Sequence, residues 1–233
     1  MATERPPVAR TTPPATHPRK AWLAGASGLV GRALLARLLA DEHYVQVLAV
    51  LRRPVDLPAH PRLVCRQVDF DHLPPLAPVD DVFIALGTTI KAAGSQAAFR
   101  KVDFDAVVNT ARAGRAAGGR RLLVVSALGA DAGSRVFYNR VKGEMEKAVT
   151  ALGYDTVVLA QPSLLLGDRA ALGQPRRLGE AAAQWLLRPG LNLLPRRVRP
   201  IAATAVANAL HAAAWNATAG VTRLPSARMQ QSD

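Results

Sequence analysis

The sequence predicts an α/β protein built on a doubly wound parallel sheet. Short runs rich in valine and leucine alternate with longer amphipathic segments, as strands joined by helical crossovers do. The first run passes through Gly25, Gly28 and Gly31 directly into a helical pattern. At 233 residues the chain holds one such sheet with small additions and buries a substantial core.

The elements follow in order. Strands are expected at Lys20–Ala26, Val45–Leu51, Leu63–Gln67, Asp81–Leu86, Arg121–Ser126 and Asp155–Ala160, short apolar or β-branched runs between turn formers. Helices are expected over Gly28–Asp41, Gln96–Ala117, Phe137–Ala151, Gly179–Leu187 and Ile201–Ala214, and Val221–Leu224 is a candidate late strand. Residues 1–19, rich in proline, threonine and arginine without apolar periodicity, read as a disordered tail. Residues 20–161 form the core domain. Residues 162–225 carry an irregular stretch with Gly167, Gly173, Pro175, Pro189, Gly190 and Pro195, expected to cover a substrate, then the last helix and strand; residues 226–233 read as a tail. Right-handed crossovers bring the strand C-termini to one crevice, where a ligand sits.

Composition excludes several classes. The net charge is +13, but the basic residues are spread through pairs such as Arg19-Lys20, Arg52-Arg53, Arg120-Arg121 and Arg176-Arg177. No helix-turn-helix, finger spacing or aromatic-interleaved basic strand accompanies them, so a basic solvated surface is expected and specific nucleic-acid binding is not. Cys65 is the single cysteine and forms no internal disulfide, which suggests a cytoplasmic, reducing compartment. The longest apolar stretch, Ala21 to Ala40, is broken by three glycines, Arg32 and Arg37, so no transmembrane segment is expected. His17, His43, His60, His72 and His211 have no metal-ligand spacing among themselves or with Cys65.

The chemistry begins at the glycines. A strand, a tight turn and a helix N-terminus let backbone approach a ligand where a Cβ would clash, and the free N–H groups and helix dipole favour a phosphate. With a second strand about twenty residues on, this is the dinucleotide pattern. It assigns Gly25, Ser27, Gly28, Leu29, Val30 and Gly31 to a cofactor. A site selective for NAD needs an acid at the tip of that second strand; here the tip reads Arg52-Arg53, and two guanidinium groups suit a 2′-phosphate, favouring NADP(H). Asp69 can accept from an adenine amino group while Phe70 packs the ring. Leu86, Gly87 and Thr88 close the fourth strand, where Gly87 permits close approach and the threonine can hydrogen bond.

A second constellation lies further on. Ser126 ends the fifth strand, and Tyr138 and Lys142 stand four residues apart at the start of a helical pattern, on one face. An ammonium near a phenol favours the phenolate and lowers its pKa, so Tyr138 can exchange a proton with a substrate oxygen that Ser126 holds. The set suits reduction of a C=O by hydride from a nicotinamide.

Gly25-Ala-Ser-Gly28-Leu-Val-Gly31, Leu86-Gly87-Thr88-Thr89, Ser126, Tyr138-x-x-x-Lys142-Gly143-Glu144 and Pro162-Ser-x-x-x-Gly167 occur here in the order of a known family. Between about Lys20 and Trp215 the chain resembles the short-chain dehydrogenase/reductases, in their atypical group. Ala85-Leu-Gly-Thr-Thr, Val102-Asp103 and Ser126-Ala-Leu-Gly-Ala-Asp131 resemble the Tat-interacting-protein branch and its bacterial relatives. The resemblance implies a Rossmann-type domain binding NADP(H) and hydride transfer between NADPH and a small carbonyl or alcohol. Ser126, Tyr138 and Lys142 match the catalytic positions, Lys142 also bonding the nicotinamide ribose. Pro162 matches a loop against the nicotinamide, with Gln161 where many relatives have arginine. Asn109, in the helix after the fourth strand, is left outside the site. Because the group also includes coenzyme-binding regulators, the alternative is an NADP(H)-sensing regulatory protein with little turnover. A monomer or a homodimer fits either reading.

Overall fold

The computed structural model of the chain describes residues 18–166 and 195–230. Its sheet strands are β1 (Arg19–Ala24), β2 (Tyr44–Leu51), β3 (Leu63–Gln67), β4 (Asp81–Ile84), β5 (Arg121–Val125), β6 (Thr156–Gln161) and β9 (Gly220–Pro225). They form one sheet in the order β3-β2-β1-β4-β5-β6-β9, every neighbouring pair parallel. A separate two-stranded parallel sheet joins β7 (Leu165–Leu166) to β8 (Ile201–Ala202). The helices are α1 (Leu29–Ala40), α2 (Ile90–Ala93), α3 (Gln96–Arg100), α4 (Val107–Ala116), α5 (Phe137–Thr150), α6 (Ala203–Asn216) and α7 (Ser226–Met229).

Side-chain alternation explains why both faces are covered. Along β1, Ala21 and Leu23 point into one buried layer and Trp22 and Ala24 into the other. The first layer is filled by Leu34, Leu35 and Leu38 of α1 and Val206 and Leu210 of α6. The second holds Val107 and Ala111 of α4, Met145 and Val149 of α5, and Val82, Leu122 and Leu159 of the sheet. Burial on two faces is what makes the central strands read as continuous apolar runs rather than alternating ones. Each fully buried leucine stabilises the fold by about 2 kcal/mol relative to an exposed one.

The structure departs from the sequence expectation in three places. The helix expected over Gln96–Ala117 is interrupted by a π-helical turn, Lys101–Ala106, between α3 and α4. That wider turn carries Asp103 inward, where its carboxylate meets Lys142 and the Thr88 N–H. Ile201 and Ala202 pair with β7 instead of opening α6. Residues 226–230, expected within a tail, start with α7 because Met229 is buried and the Ser226 hydroxyl donates to Ser163 Oγ at 3.0 Å. The helix expected at Gly179–Leu187 lies outside the described residues. Among the described residues, no helix is long and apolar enough to cross a membrane.

Candidate active site

The C-terminal ends of the strands open onto a cleft of about 580 Å³. Gly25, Ser27 and Gly28 form its floor, between β1 and α1. The three glycines have different reasons to be there. Gly25 has φ +95°, and a Cβ on it would lie 2.5 Å from the Ala85 carbonyl, so the turn and the end of β4 need its bareness. A Cβ on Gly31 would lie 1.9 Å from the Gly25 oxygen, so Gly31 lets α1 start against the turn. A Cβ on Gly28 would meet only the Gly25 oxygen, at 3.5 Å, an ordinary contact. Gly28 is also the N-cap of α1 and offers no side-chain cap. Leu29, Val30 and Gly31 follow as the first turn, whose N–H groups have no intrahelical acceptor.

Beyond β2, Arg52 and Arg53 are exposed and line the cleft. Asp69 and Phe70 line it from the segment after β3, where Asp69 accepts the Asp71 N–H at 2.9 Å. The Asn109 side chain donates to the Phe70 carbonyl at 3.0 Å, so it anchors this wall rather than reaching the reacting end. Leu86, Gly87 and Thr88 close the cleft after β4.

Past Gly87 lie Asp103 and Lys142, while Ser126, Tyr138, Lys142 and Pro162 are not among the residues that line the cleft itself. Ser126 directly follows β5; its N–H donates to the Ala160 carbonyl at 2.7 Å, and it is 4% exposed. Its hydroxyl has no hydrogen-bond partner among the described residues. Tyr138 and Lys142 sit one turn apart near the start of α5, and the Tyr138 ring packs against Phe99 of α3 with centroids 5.4 Å apart. Lys142 is buried, and its Nζ lies 2.7 Å from Asp103 Oδ1. The second Asp103 oxygen accepts the Thr88 N–H at 2.8 Å.

One electrostatic expectation is overturned. Burial pushes the Tyr138 phenol up; the Lys142 ammonium pulls it down, Asp103 pushes it up again, and the net direction is upward. The lysine's pull is real but smaller than the cost of taking a phenolate out of water. Sequence reasoning missed Asp103 as part of the site. Asp103 stands among Arg100, Lys101 and Asp105, so its sequence surroundings carried no signal that singled it out.

The remaining expected residues act through the backbone. The Pro162 carbonyl accepts the Leu128 N–H at 2.8 Å, tying the segment after β6 to the loop after Ser126. The Gln161 side chain turns away, donating to Glu146 of α5 at 2.9 Å. Gly143 admits that same loop, since a Cβ there would lie 2.1 Å from the Ala132 nitrogen.

A parallel sheet in this order, with a glycine turn leading into an uncapped helix at its C-terminal edge, defines a Rossmann-type dinucleotide fold. The comparisons with known proteins agree. A family model described as NAD(P)H-binding matches residues 25–174. The chain is 34% identical over 183 residues to protein HTATIP2 of Rattus norvegicus, covering 76% of this chain and 72% of that one. It is 31% identical over 191 residues to the mitochondrial protein FMP52 of Coccidioides immitis, covering 72% and 76%. Among solved structures, MoeE5 with UDP-glucose and NAD superposes with a TM-score of 0.65 at 18% identity, covering 88% of this chain and 76% of that one. A short chain dehydrogenase family protein from Francisella tularensis gives 0.63 at 12%, covering 91% and 99%. The chain belongs to the NAD(P)H-binding family, among the atypical short-chain dehydrogenase/reductases.

The expectation of a cytoplasmic location is corrected by these relatives, several of which are named mitochondrial. A lone cysteine rules out an internal disulfide in any compartment and therefore never distinguished the two.

The residues present fit a nicotinamide coenzyme. A bare Gly28 beside uncapped N–H groups suits a pyrophosphate, and an unpartnered, buried Ser126 hydroxyl lies at the same edge of the sheet.

Proposed function

We propose that the protein is an NADP(H)-dependent oxidoreductase acting on a small carbonyl or alcohol. The observation that carries this reading is the buried Ser126 hydroxyl without a partner, at the sheet edge shared with Tyr138 and the buried Lys142. A native fold rarely leaves such a group unsatisfied without a functional reason. When bound, the coenzyme supplies or accepts the hydride. Ser126 holds the substrate oxygen and orients the carbonyl. Tyr138 delivers a proton to that oxygen in reduction and withdraws it in oxidation. Lys142 counters the cost of the phenolate and offers N–H groups to the coenzyme ribose. Gly25, Ser27 and Gly28 receive the pyrophosphate, Asp69 and Phe70 the adenine, and Arg52 and Arg53 the 2′-phosphate that selects NADP(H). Pro162 would border the nicotinamide.

Tyr138→Phe tests the mechanism. Turnover of a carbonyl panel with NADPH falls by about 100-fold or more, while NADPH binding, followed by its fluorescence, is nearly unchanged. Unchanged turnover removes Tyr138 from the reaction.

A second reading, an NADP(H) sensor with little turnover, is favoured by one observation: Lys142 is already paired with Asp103, and the Tyr138 phenol is held up. It predicts coenzyme affinity without turnover on any carbonyl or alcohol of the panel.

A further inference from the structure

The acid that holds Lys142 has no role in the reaction just described, although it is the most enclosed charge near it. We infer that Asp103 is a positioning residue: from a widened helical turn it fixes the Lys142 ammonium beneath Gly87 and thereby governs the proton on Tyr138. This rests on the proposed roles of Tyr138 and Lys142.

Three elements converge on the Asp103 carboxylate. Its own π-helical turn, Lys101–Ala106, presents it inward. From α5, Lys142 Nζ approaches Oδ1 at 2.7 Å, the two side chains being 4% and 1% exposed. From the segment after β4, the Thr88 N–H donates to Oδ2 at 2.8 Å. Gly87 lies over the pair: a Cβ there would come within 3.4 Å of Asp103 Oδ1 and 3.9 Å of Lys142 Nζ. The carboxylate thus links the strand end that closes the cleft to the helix that carries Tyr138. Lys142 meets Asp103 Oδ1 as an ion pair, and the ammonium carries N–H donors for a ribose and for Tyr138. The cost of burying the ammonium is offset by the Asp103 carboxylate, which the Thr88 N–H holds in turn, and this keeps the ammonium in place.

Among the described residues, the charged groups facing Tyr138 are Lys142 from its own helix and Asp103 from the π turn, and α3 contributes the Phe99 ring. Lysine and aspartate act on the phenol in opposite senses. Neutralising the aspartate leaves the lysine's pull unopposed.

The test is a tyrosinate titration by absorbance near 295 nm on the full chain, which needs no turnover. The chain has three tyrosines. Burial holds Tyr44 and Tyr154 far above the ordinary phenol range, so Tyr138 ionises first. Tyr138→Phe removes that first step and confirms the assignment. Asp103→Asn, which keeps an acceptor for the Thr88 N–H, moves the step to lower pH by about one unit. A step that stays in place or rises overturns the inference, because a merely structural acid would leave it there. Should the single variant not fold, Asp103→Asn/Lys142→Met, which buries no charge, replaces it. Its step is compared with that of Lys142→Met and lies lower, because the push of the carboxylate is gone. A step that is equal or higher overturns the inference. If the protein proves to have no turnover, the oxidoreductase reading fails while this titration still decides the role of Asp103.

Discussion

At the N-terminal edge of the sheet Asp81 is fully buried and receives the Tyr44 hydroxyl at 2.6 Å, with the Arg19 and Arg121 guanidiniums each at 3.3 Å. At the opposite edge Asp103, equally buried, has one lysine and one backbone N–H. The difference lies in what surrounds each acid. Around Asp81 the donors come from β1, β2 and β5, three strands that the core already holds in place. Around Asp103 the bookkeeping is incomplete: the Ser126 hydroxyl has no partner and α1 begins without a side-chain cap. A buried acid in the sheet and one in the π turn therefore have different surroundings. The saturated one fastens strands, and the other lies in the proposed coenzyme site, beside polar groups without a partner among the described residues.

The sharpest way to break this comparison is to remove the fastening. Asp81→Ala strands the Tyr44 hydroxyl and takes the counter-charge from two guanidiniums. A loss of about 3 kcal/mol in unfolding free energy is expected in denaturant titrations, with coenzyme affinity of the folded protein unchanged. A loss of affinity at constant stability would place Asp81 in the functional network. The glycine turn offers the converse. Gly28→Ala puts a methyl where the fold has room, at a residue with φ −82° and ψ 170°, so stability holds. Coenzyme affinity falls about tenfold or more, because the added Cβ occupies the approach to the helix N-terminus. Gly31→Ala drives a methyl into the Gly25 carbonyl and lowers stability as well.

The legibility of the two edges differs for the same reason. The order of strands and helices was readable because burial on both faces writes itself as apolar runs, as in Val47 to Leu51, and β9 was visible as a candidate at Val221–Leu224. Gly25 and Gly31 were readable because the turn tolerates no Cβ at either, and Gly28 because a bare approach to a helix N-terminus takes glycine at the same spacing. Asp103 was not. Its importance comes from a π turn that a helical pattern does not announce, and from a lysine and a backbone N–H distant in sequence. The sign of the Tyr138 shift was equally hidden: the four-residue spacing to Lys142 shows the pull of the ammonium, whereas desolvation depends on Phe99 packing across from another helix.

A smaller effect concerns the far end of the cleft. Arg52→Asp replaces a cation with the acid that a ribose 2′-hydroxyl prefers, so the ratio of NADPH to NADH affinity falls several-fold. An unaltered ratio would mean that the exposed arginines only decorate the rim.

The smallest effect expected lies back at the lower edge. Asp41, the C-cap of α1, accepts the His43 N–H at 3.0 Å and the Trp215 indole N–H at 3.0 Å, and its oxygens lie 2.9 Å from His43 Nδ1 and His211 Nε2. Burial pushes this carboxyl up, but the bonds from His43 and His211 outweigh it and hold the group below its usual 3.8. A carboxyl depressed by folding stabilises the protein above the unfolded value and stops doing so as pH falls through the folded one. Asp41→Asn therefore lowers stability by under about 1 kcal/mol at neutral pH, and the gap to the parent chain closes below about pH 4. Unfolding midpoints measured between pH 3 and pH 7 read this directly. A gap that persists undiminished at the acid end would show that Asp41 acts through packing of Trp215 and His211 rather than through its charge.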